Sequence, residues 1–201
     1  MVTSARKVGV YGGAFDPPHL GHVIVAVEAA WQLGLDEVRF VPVGIPVHRG
    51  VPRVDAMTRV ELVSAAVVGV PQLQVSTIET DRMEPSFTID TLRTFAAAEP
   101  KVEWTLIVGA DQVEVFDTWR EPKAIVELAR LGVVARAQTD ATTVAAAAQK
   151  HAPGRFDVVF VPRIDISSTL VRTRIAAGEP FSHLVPAPVA RIVADRGLYG
   201  R

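Results

Sequence analysis

Cysteine is absent from the 201 residues, which excludes disulfides, thiolate metal ligands and a cysteine nucleophile together and suits a cytosolic enzyme. A surplus of positive charge is missing too: 21 Lys and Arg stand against 22 Asp and Glu, leaving a formal net charge of −1 and a pI near 6.5. Nucleic-acid and anionic-membrane binders usually carry a summed positive field, so neither partner is expected, and any anionic ligand must be met by local groups. Residues Met1–Lys7 run straight into a short apolar segment with neither a signal-peptide core nor a cleavage pattern, and no later stretch approaches membrane-spanning length. The expected location is the cytoplasm. Repeats, low-complexity tracts and linkers are also lacking, and the alanine run Ala145–Ala148 needs nothing beyond helix propensity.

What remains is a chain with 49% apolar residues, enough for a substantial core, read as one domain over residues 1–201. Val8–Tyr11, Val38–Val41, Trp104–Val108, Gly132–Ala135 and Asp157–Val161 are short β-prone runs bounded by Gly, Pro or polar residues, as buried parallel strands are. Helical patterns lie between them at Leu20–Leu33, Ala56–Val68, Ile89–Ala98, Lys123–Ala129 and Thr139–His151, and this alternation implies βαβ units. Two further helices, Ser168–Ala177 and Pro186–Asp195, follow with no strand between them, making a C-terminal helical segment over about 166–201. The expectation is an α/β fold, one doubly wound parallel sheet, with ligands beyond the C-terminal strand ends where the strand order reverses.

The segment Gly12-Gly13-Ala14-Phe15-Asp16-Pro17-Pro18-His19-Leu20-Gly21-His22 follows the first strand. Missing side chains at Gly12 and Gly13 permit a tight turn and a close approach of ligand to backbone. His19 and His22, three apart at a helix start, project from one face near its positive end, and two imidazoles with backbone N–H groups suit an oxyanion. Other readings stay open: the glycines can be a plain turn, and either histidine can be a helix cap. Zinc is also conceivable, but the chain has no cysteine and lacks the His-Glu-x-x-His helix signature at this point, so no protein metal site is expected.

A second segment, Ile166-Ser167-Ser168-Thr169-Leu170-Val171-Arg172, opens a helix just after the last strand. Its hydroxyls and backbone donors sit at an N-terminus that favours anions, and Arg172 one turn later can grip a phosphate oxygen; the alternative is an ordinary Ser/Thr cap with a solvated arginine. Between these segments His48-Arg49 can be a solvated loop end, Ser86-Phe87-Thr88-Ile89-Asp90 a capped helix start, and Asp111 after Gly109 a ribose acceptor or a cap.

Together the segments resemble a known family. Gly12–His22 is similar to the Gly-Gly-Thr-Phe-Asp-Pro-x-His-x-Gly-His signature of nucleotidyltransferases, specifically the bacterial nicotinate-nucleotide adenylyltransferases, with Ala14 where Thr or Ser is common. Ile166–Arg172 matches the family's Ile-Ser-Ser-Thr-x-Ile/Val-Arg element, and Ser86–Leu92 its Ser-Tyr-Thr-x-Asp-Thr-Leu element with Phe87 for Tyr. Trp119-Arg120-Glu121-Pro122 stands where the family often shows Trp-His-Arg-Trp, and Arg136-Ala137-Gln138 where it has Arg-Pro-Gly.

The resemblance implies a Rossmann-like fold and adenylyl transfer from ATP to nicotinate mononucleotide, giving deamido-NAD and pyrophosphate. It places Gly12, Gly13, Ala14, Phe15, His19, His22, Gly109, Asp111, Ile166, Ser167, Ser168, Thr169 and Arg172 around ATP, with His19, His22 and Arg172 catalytic. His48, Arg49, Phe87, Thr88, Trp119 and Arg136 fall around the acceptor, Trp119 stacking on the pyridine. Mg²⁺ is expected to arrive on the triphosphate. Nicotinamide mononucleotide, phosphopantetheine or a sugar phosphate as acceptor, and a non-catalytic nucleotide-binding paralogue, are the alternatives. A homo-oligomer is compatible with the sequence.

Overall fold

A computed structural model describes residues 5–47, 50–136 and 141–200, and of Arg136 and Ala141 the backbone alone. The chain runs β1 (Lys7–Gly13), α1 (Leu20–Leu33), β2 (Glu37–Pro42), α2 (Ala56–Val67), β3 (Leu73–Val75), α3 (Thr88–Ala98), β4 (Glu103–Gly109) and α4 (Ala110–Glu114). It continues through α5 (Pro122–Leu128), β5 (Ala129–Arg136), α6 (Ala141–His151), β6 (Phe156–Val161), α7 (Ser168–Ala176) and α8 (Ala187–Asp195). The six strands form one parallel sheet in the order β3-β2-β1-β4-β5-β6. The chain winds outward from β1 to β3, then returns to lay β4 on the other side of β1. The switch point therefore lies between β1 and β4, where Gly13 and Gly109 end their strands.

Side-chain alternation along the strands explains the two-sided burial. Leu106 and Val108 point into a core shared with Ile89, Leu92 and Phe95 of α3 and Ile125 of α5, whereas Ile107 points to the opposite core with Ala26 and Ala29 of α1 and Val63 of α2. A third cluster joins Leu62 and Ala66 of α2 to Val171, Val189 and Val193, so the C-terminal helices pack against α2. The predicted helical segment after the last strand is thus a buttress on one flank of the sheet. At the β6 edge, the Gln32 amide of α1 donates to Phe160 O at 2.8 Å and accepts from Phe160 N–H at 3.0 Å.

The structure departs from the sequence expectation in three places. A sixth strand, β3, pairs with β2; its three residues are too few to carry a period-2 signal. The five-residue α4 was likewise not anticipated. The helix expected over Lys123–Ala129 stops at Leu128, because Ala129 is already paired beside Trp104 as the first residue of β5. Residues 137–140, including the expected start of the Thr139–His151 helix, lie outside the described residues. No described helix is long and apolar enough to cross a membrane.

Candidate active site

The loop leaving β1 is shaped by one strained aromatic residue. Phe15 has φ +50°, a left-handed conformation that costs a non-glycine residue about 1–3 kcal/mol, and it is nearly fully buried. The strain is held by packing: its ring meets His22 at 5.0 Å, Phe40 at 5.3 Å and Tyr11 at 5.7 Å. Phe15 therefore seats His22 from below. A side chain at Gly12 would extend into open space, so the backbone there is bare toward the crevice.

His19 is the N-cap of α1 and His22 the third residue of its first turn. The His19 N–H donates to His22 Nδ1 at 3.1 Å, which leaves the neutral His22 ring with its proton on Nε2. The two rings lie 3.7 Å apart, and a Cβ on Gly21 would press the His19 ring at 3.0 Å, so glycine makes room for it. Burial disfavours the charged form of His19 and pulls its pKa from 6.5 to about 4, and its Nδ1 is buried with no partner among the described residues. The ring is neutral in the free protein, and approaching phosphate charge favours its protonation.

A pH dependence follows with a definite sign. Because the folded-state pKa is depressed, stability is fully present above pH 6.5 and is lost as pH falls through 4, by up to about 3 kcal/mol. Urea unfolding at pH 7 and pH 4 should show His19→Asn losing less stability on acidification than the native chain by that amount. Equal losses in the two proteins would contradict a buried neutral His19.

The second motif touches the first directly. Arg172 Nη1 donates to Asp16 O at 2.6 Å, Arg172 Nη2 donates to Thr169 Oγ1 at 3.2 Å, and Ser168 Oγ donates to Pro17 O at 2.8 Å. Ser167 is the N-cap of α7, its hydroxyl accepting from Leu170 N–H at 3.1 Å. The hydroxyls of Ser167 and Ser168 are thus already engaged within the protein, one holding α7 and the other holding the loop. Ile166 packs into the cluster under α7.

Across the switch point, Gly109 is the N-cap of α4 and Asp111 lies in its first turn. A Cβ on Gly109 would meet Asp111 Oδ1 at 2.4 Å, so the carboxylate folds back over the end of β4, with Oδ2 accepting from Gln112 Nε2 at 2.8 Å.

Three distant segments, the loop after β2, the start of α3 and the turn at Trp119, converge. Gly44 N–H donates to Ser86 Oγ at 3.1 Å and Ser86 N–H to Ile45 O at 2.9 Å, tying the loop after β2 to the start of α3. Phe87 is the N-cap of α3 and Thr88 its first residue. Trp119 follows a 3₁₀ turn over Phe116–Thr118 and packs on Phe116 at 5.3 Å. Arg120 lies over the Phe87 ring at 4.6 Å and pairs with Asp90 at 3.3 Å, while Arg93 holds Glu121 through both guanidinium nitrogens. Two residues that differ from the family pattern, Phe87 and Arg120, therefore contact each other. Arg136 ends β5 beside Val161. His48, Arg49, Ala137 and Gln138 lie outside the described residues.

Three buried polar residues that sequence reasoning gave no role, Asp16, Arg59 and Glu79, complete the arrangement together with the half-buried Tyr199. Asp16 accepts from Arg53 N–H at 2.7 Å and from the Tyr199 hydroxyl at 2.9 Å, with Arg172 Nη1 at 3.9 Å from its carboxylate. Burial first, then the Asp16 charge, pushes the Tyr199 phenol well above its ordinary range. Arg59 lies beneath the β1 and β2 loops. Glu79 accepts from Thr91 Oγ1 at 2.7 Å, and burial raises its carboxyl above the usual range against the opposing hydroxyl contacts. Arg59 was legible as the one charged residue on the apolar stripe it shares with Leu62, Val63 and Ala66 in α2. Asp16 and Tyr199 meet across 183 positions, and no local pattern could pair them.

Comparison with known proteins places this geometry. Residues 10–174 match the family model for cytidylyltransferase-like proteins. The chain is 36% identical over 190 residues to "Probable nicotinate-nucleotide adenylyltransferase" of Methylibium petroleiphilum, covering 94% of this chain and 88% of the relative. The chain belongs to the nicotinate-nucleotide adenylyltransferase branch of this nucleotidyltransferase family. A relative of the same name from Bacillus pumilus is 34% identical, covering 96% of this chain and 98% of its own length. Among solved structures, "Plasmodium falciparum nicotinic acid mononucleotide adenylyltransferase complexed with NaAD" superposes with a TM-score of 0.80 at 16% identity, covering 96% of this chain and 97% of that one. At that identity the likeness speaks for the fold. The six-stranded parallel sheet with helices on both faces is the Rossmann-like fold that the sequence led one to expect. Ala14 meets Arg59 through its backbone oxygen, a contact that does not need the hydroxyl common at this position in the family.

Proposed function

We propose that the chain transfers the adenylyl group of ATP to nicotinate mononucleotide, releasing pyrophosphate and forming deamido-NAD. The observation that carries this reading is the meeting of the two motifs through Arg172 on Asp16 O and Ser168 on Pro17 O, contacts that span 156 and 151 positions. In this reading the acceptor phosphate attacks the α-phosphorus of ATP in line and the bond to the β-phosphate oxygen breaks. A phosphate monoester is already a competent nucleophile, so orientation and charge neutralisation supply most of the acceleration.

His19, His22 and Arg172 are assigned to the ATP phosphates, with the Gly12 to Phe15 loop, open at Gly12, and the Ile166 to Thr169 segment that opens α7 completing the cradle. Gly109 and Asp111 are assigned to the ribose side. Phe87 and Thr88 present the start of α3 to the acid end of the acceptor and Trp119 its indole to the pyridine, while His48, Arg49 and Arg136 are assigned to the mononucleotide from the sequence alone. Among the described residues no three His, Asp or Glu side chains gather into a metal-holding group, and Asp16 is engaged by Arg53 and Tyr199. Mg²⁺ is assigned to the triphosphate, where it would neutralise phosphate charge. A cytoplasmic residence accords with the cysteine-free composition.

The test is pyrophosphate release from ATP and Mg²⁺ with each mononucleotide in turn. Release should depend on the added mononucleotide, and kcat/KM should be higher for the acid than for the amide. Preference for the amide would refute the acceptor assignment, and release indifferent to either would refute the reaction.

A further inference from the structure

Arg59 is the largest fully buried side chain, only 1% exposed, yet it makes no close ion pair among the described residues. Its guanidinium instead reaches the backbones of two different loops: Nη1 donates to Ala14 O at 3.1 Å and Nη2 to Gly44 O at 3.4 Å, while Nε is buried with no partner among the described residues. Leaving a buried donor unmet is costly, so nothing about this placement optimises the arginine itself. Burial pulls the guanidinium below its ordinary range, and the charge of Asp16 is the first effect opposing that.

The two loops it joins have different tasks in the proposed reaction. Ala14 belongs to the loop assigned to ATP, and Gly44 begins the loop assigned to the acceptor. Their strands part after the Val43 N–H to Gly13 O bond at 2.9 Å, and Arg59 is the next link beyond it. Gly44 in turn cannot yield: its N–H is tied to Ser86, and a Cβ would stand 2.1 Å from Glu79 O. On its other side the segment borders a cleft of about 400 Å³ lined by Arg53, Val54 and Arg59, so bonds rather than packing hold it there. A continuous path results, from Ala14 through Arg59, Gly44 and Ser86 to Phe87 and Thr88.

We propose that Arg59 is a positioning residue that couples the two substrate sites, so that filling the ATP loop tightens binding of the mononucleotide and the reverse. The planar fork suits this task because it can hold two carbonyls at once, which a lysine ammonium cannot do in fixed geometry. The inference rests on the assignment of the two loops to ATP and nicotinate mononucleotide, and linkage requires the effect to be equal in both directions.

Calorimetric titration tests it. The Kd of nicotinate mononucleotide is measured with and without saturating α,β-methylene-ATP, on the native chain, on Arg59→Lys and on Ser86→Ala at the far end of the path. The native chain should bind the mononucleotide about fivefold or more tightly with the analogue present. In Arg59→Lys that ratio should fall to within about twofold of unity, and Ser86→Ala should lower it in the same direction. A native ratio of one overturns the proposal, and this measurement needs no variant to fold. A native-like ratio in Arg59→Lys, with both affinities weakened equally, overturns it too, since that is what a purely structural role produces. Loss of coupling with mononucleotide-dependent pyrophosphate release intact in the native chain separates failure of this inference from failure of the functional reading.

Discussion

Replacing His22 with alanine lowers kcat by about two orders of magnitude or more, as loss of one preorganised donor to a charge-bearing oxygen does. The expectation comes from how little freedom the ring has. Its Nδ1 is fixed by the His19 N–H at 3.1 Å, its face rests edge-on against Phe15 at 5.0 Å, and it belongs to the first turn of a 14-residue helix. The proton is thereby held on Nε2 before any substrate arrives, and donation to a phosphate oxygen needs no reorganisation. Steady-state kinetics with both substrates saturating gives kcat directly. An unchanged kcat with a raised KM for ATP would demote His22 to ground-state binding.

Asp16→Ala unfolds the protein about 3 kcal/mol more easily, a melting point lower by roughly 10 °C for a chain of this size. The carboxylate is 5% exposed and receives the Arg53 N–H and the Tyr199 hydroxyl, with Arg172 close by. Removing it leaves a half-buried phenol and a backbone N–H without their acceptor and takes away the negative charge facing Arg59 and Arg172. The same change should cost activity beyond the loss of folded protein, because it removes the carboxylate that faces the Arg172 guanidinium at 3.9 Å and that ties the Asp16 loop to Arg53 N–H. Differential scanning calorimetry with kcat measured well below the transition separates the two effects. A melting point within about 2 °C of native would show that the cluster does not hold the C-terminal tail to the loop.

How far the sequence could be read depended on how local each signal was. The helix start at Leu20 and its end at Leu33 were legible, since histidines open it and Gly34, at φ +60°, closes it. Long apolar runs such as Trp104–Val108 announced strands buried on both faces. The three residues of β3 and the five of α4 are too short for any period to emerge, and Ala129 was claimed for a helix by propensity when pairing beside Trp104 made it a strand. The motifs Gly12–His22 and Ile166–Arg172 were legible because each is a continuous segment. Their mutual contact was not, nor was the stacking of Arg120 on Phe87, because both depend on where the sheet order brings separate loops together.

The Gln32 amide offers Phe160 the same donor and acceptor pair that a neighbouring strand residue would. Growth of the sheet by a passing chain at that border would first have to displace this side chain. The opposite border ends in a strand only three residues long, which gives an incoming backbone little to align with. One residue of one border is thus already paired and the other border is short, and both features discourage a passing strand from adding to the sheet.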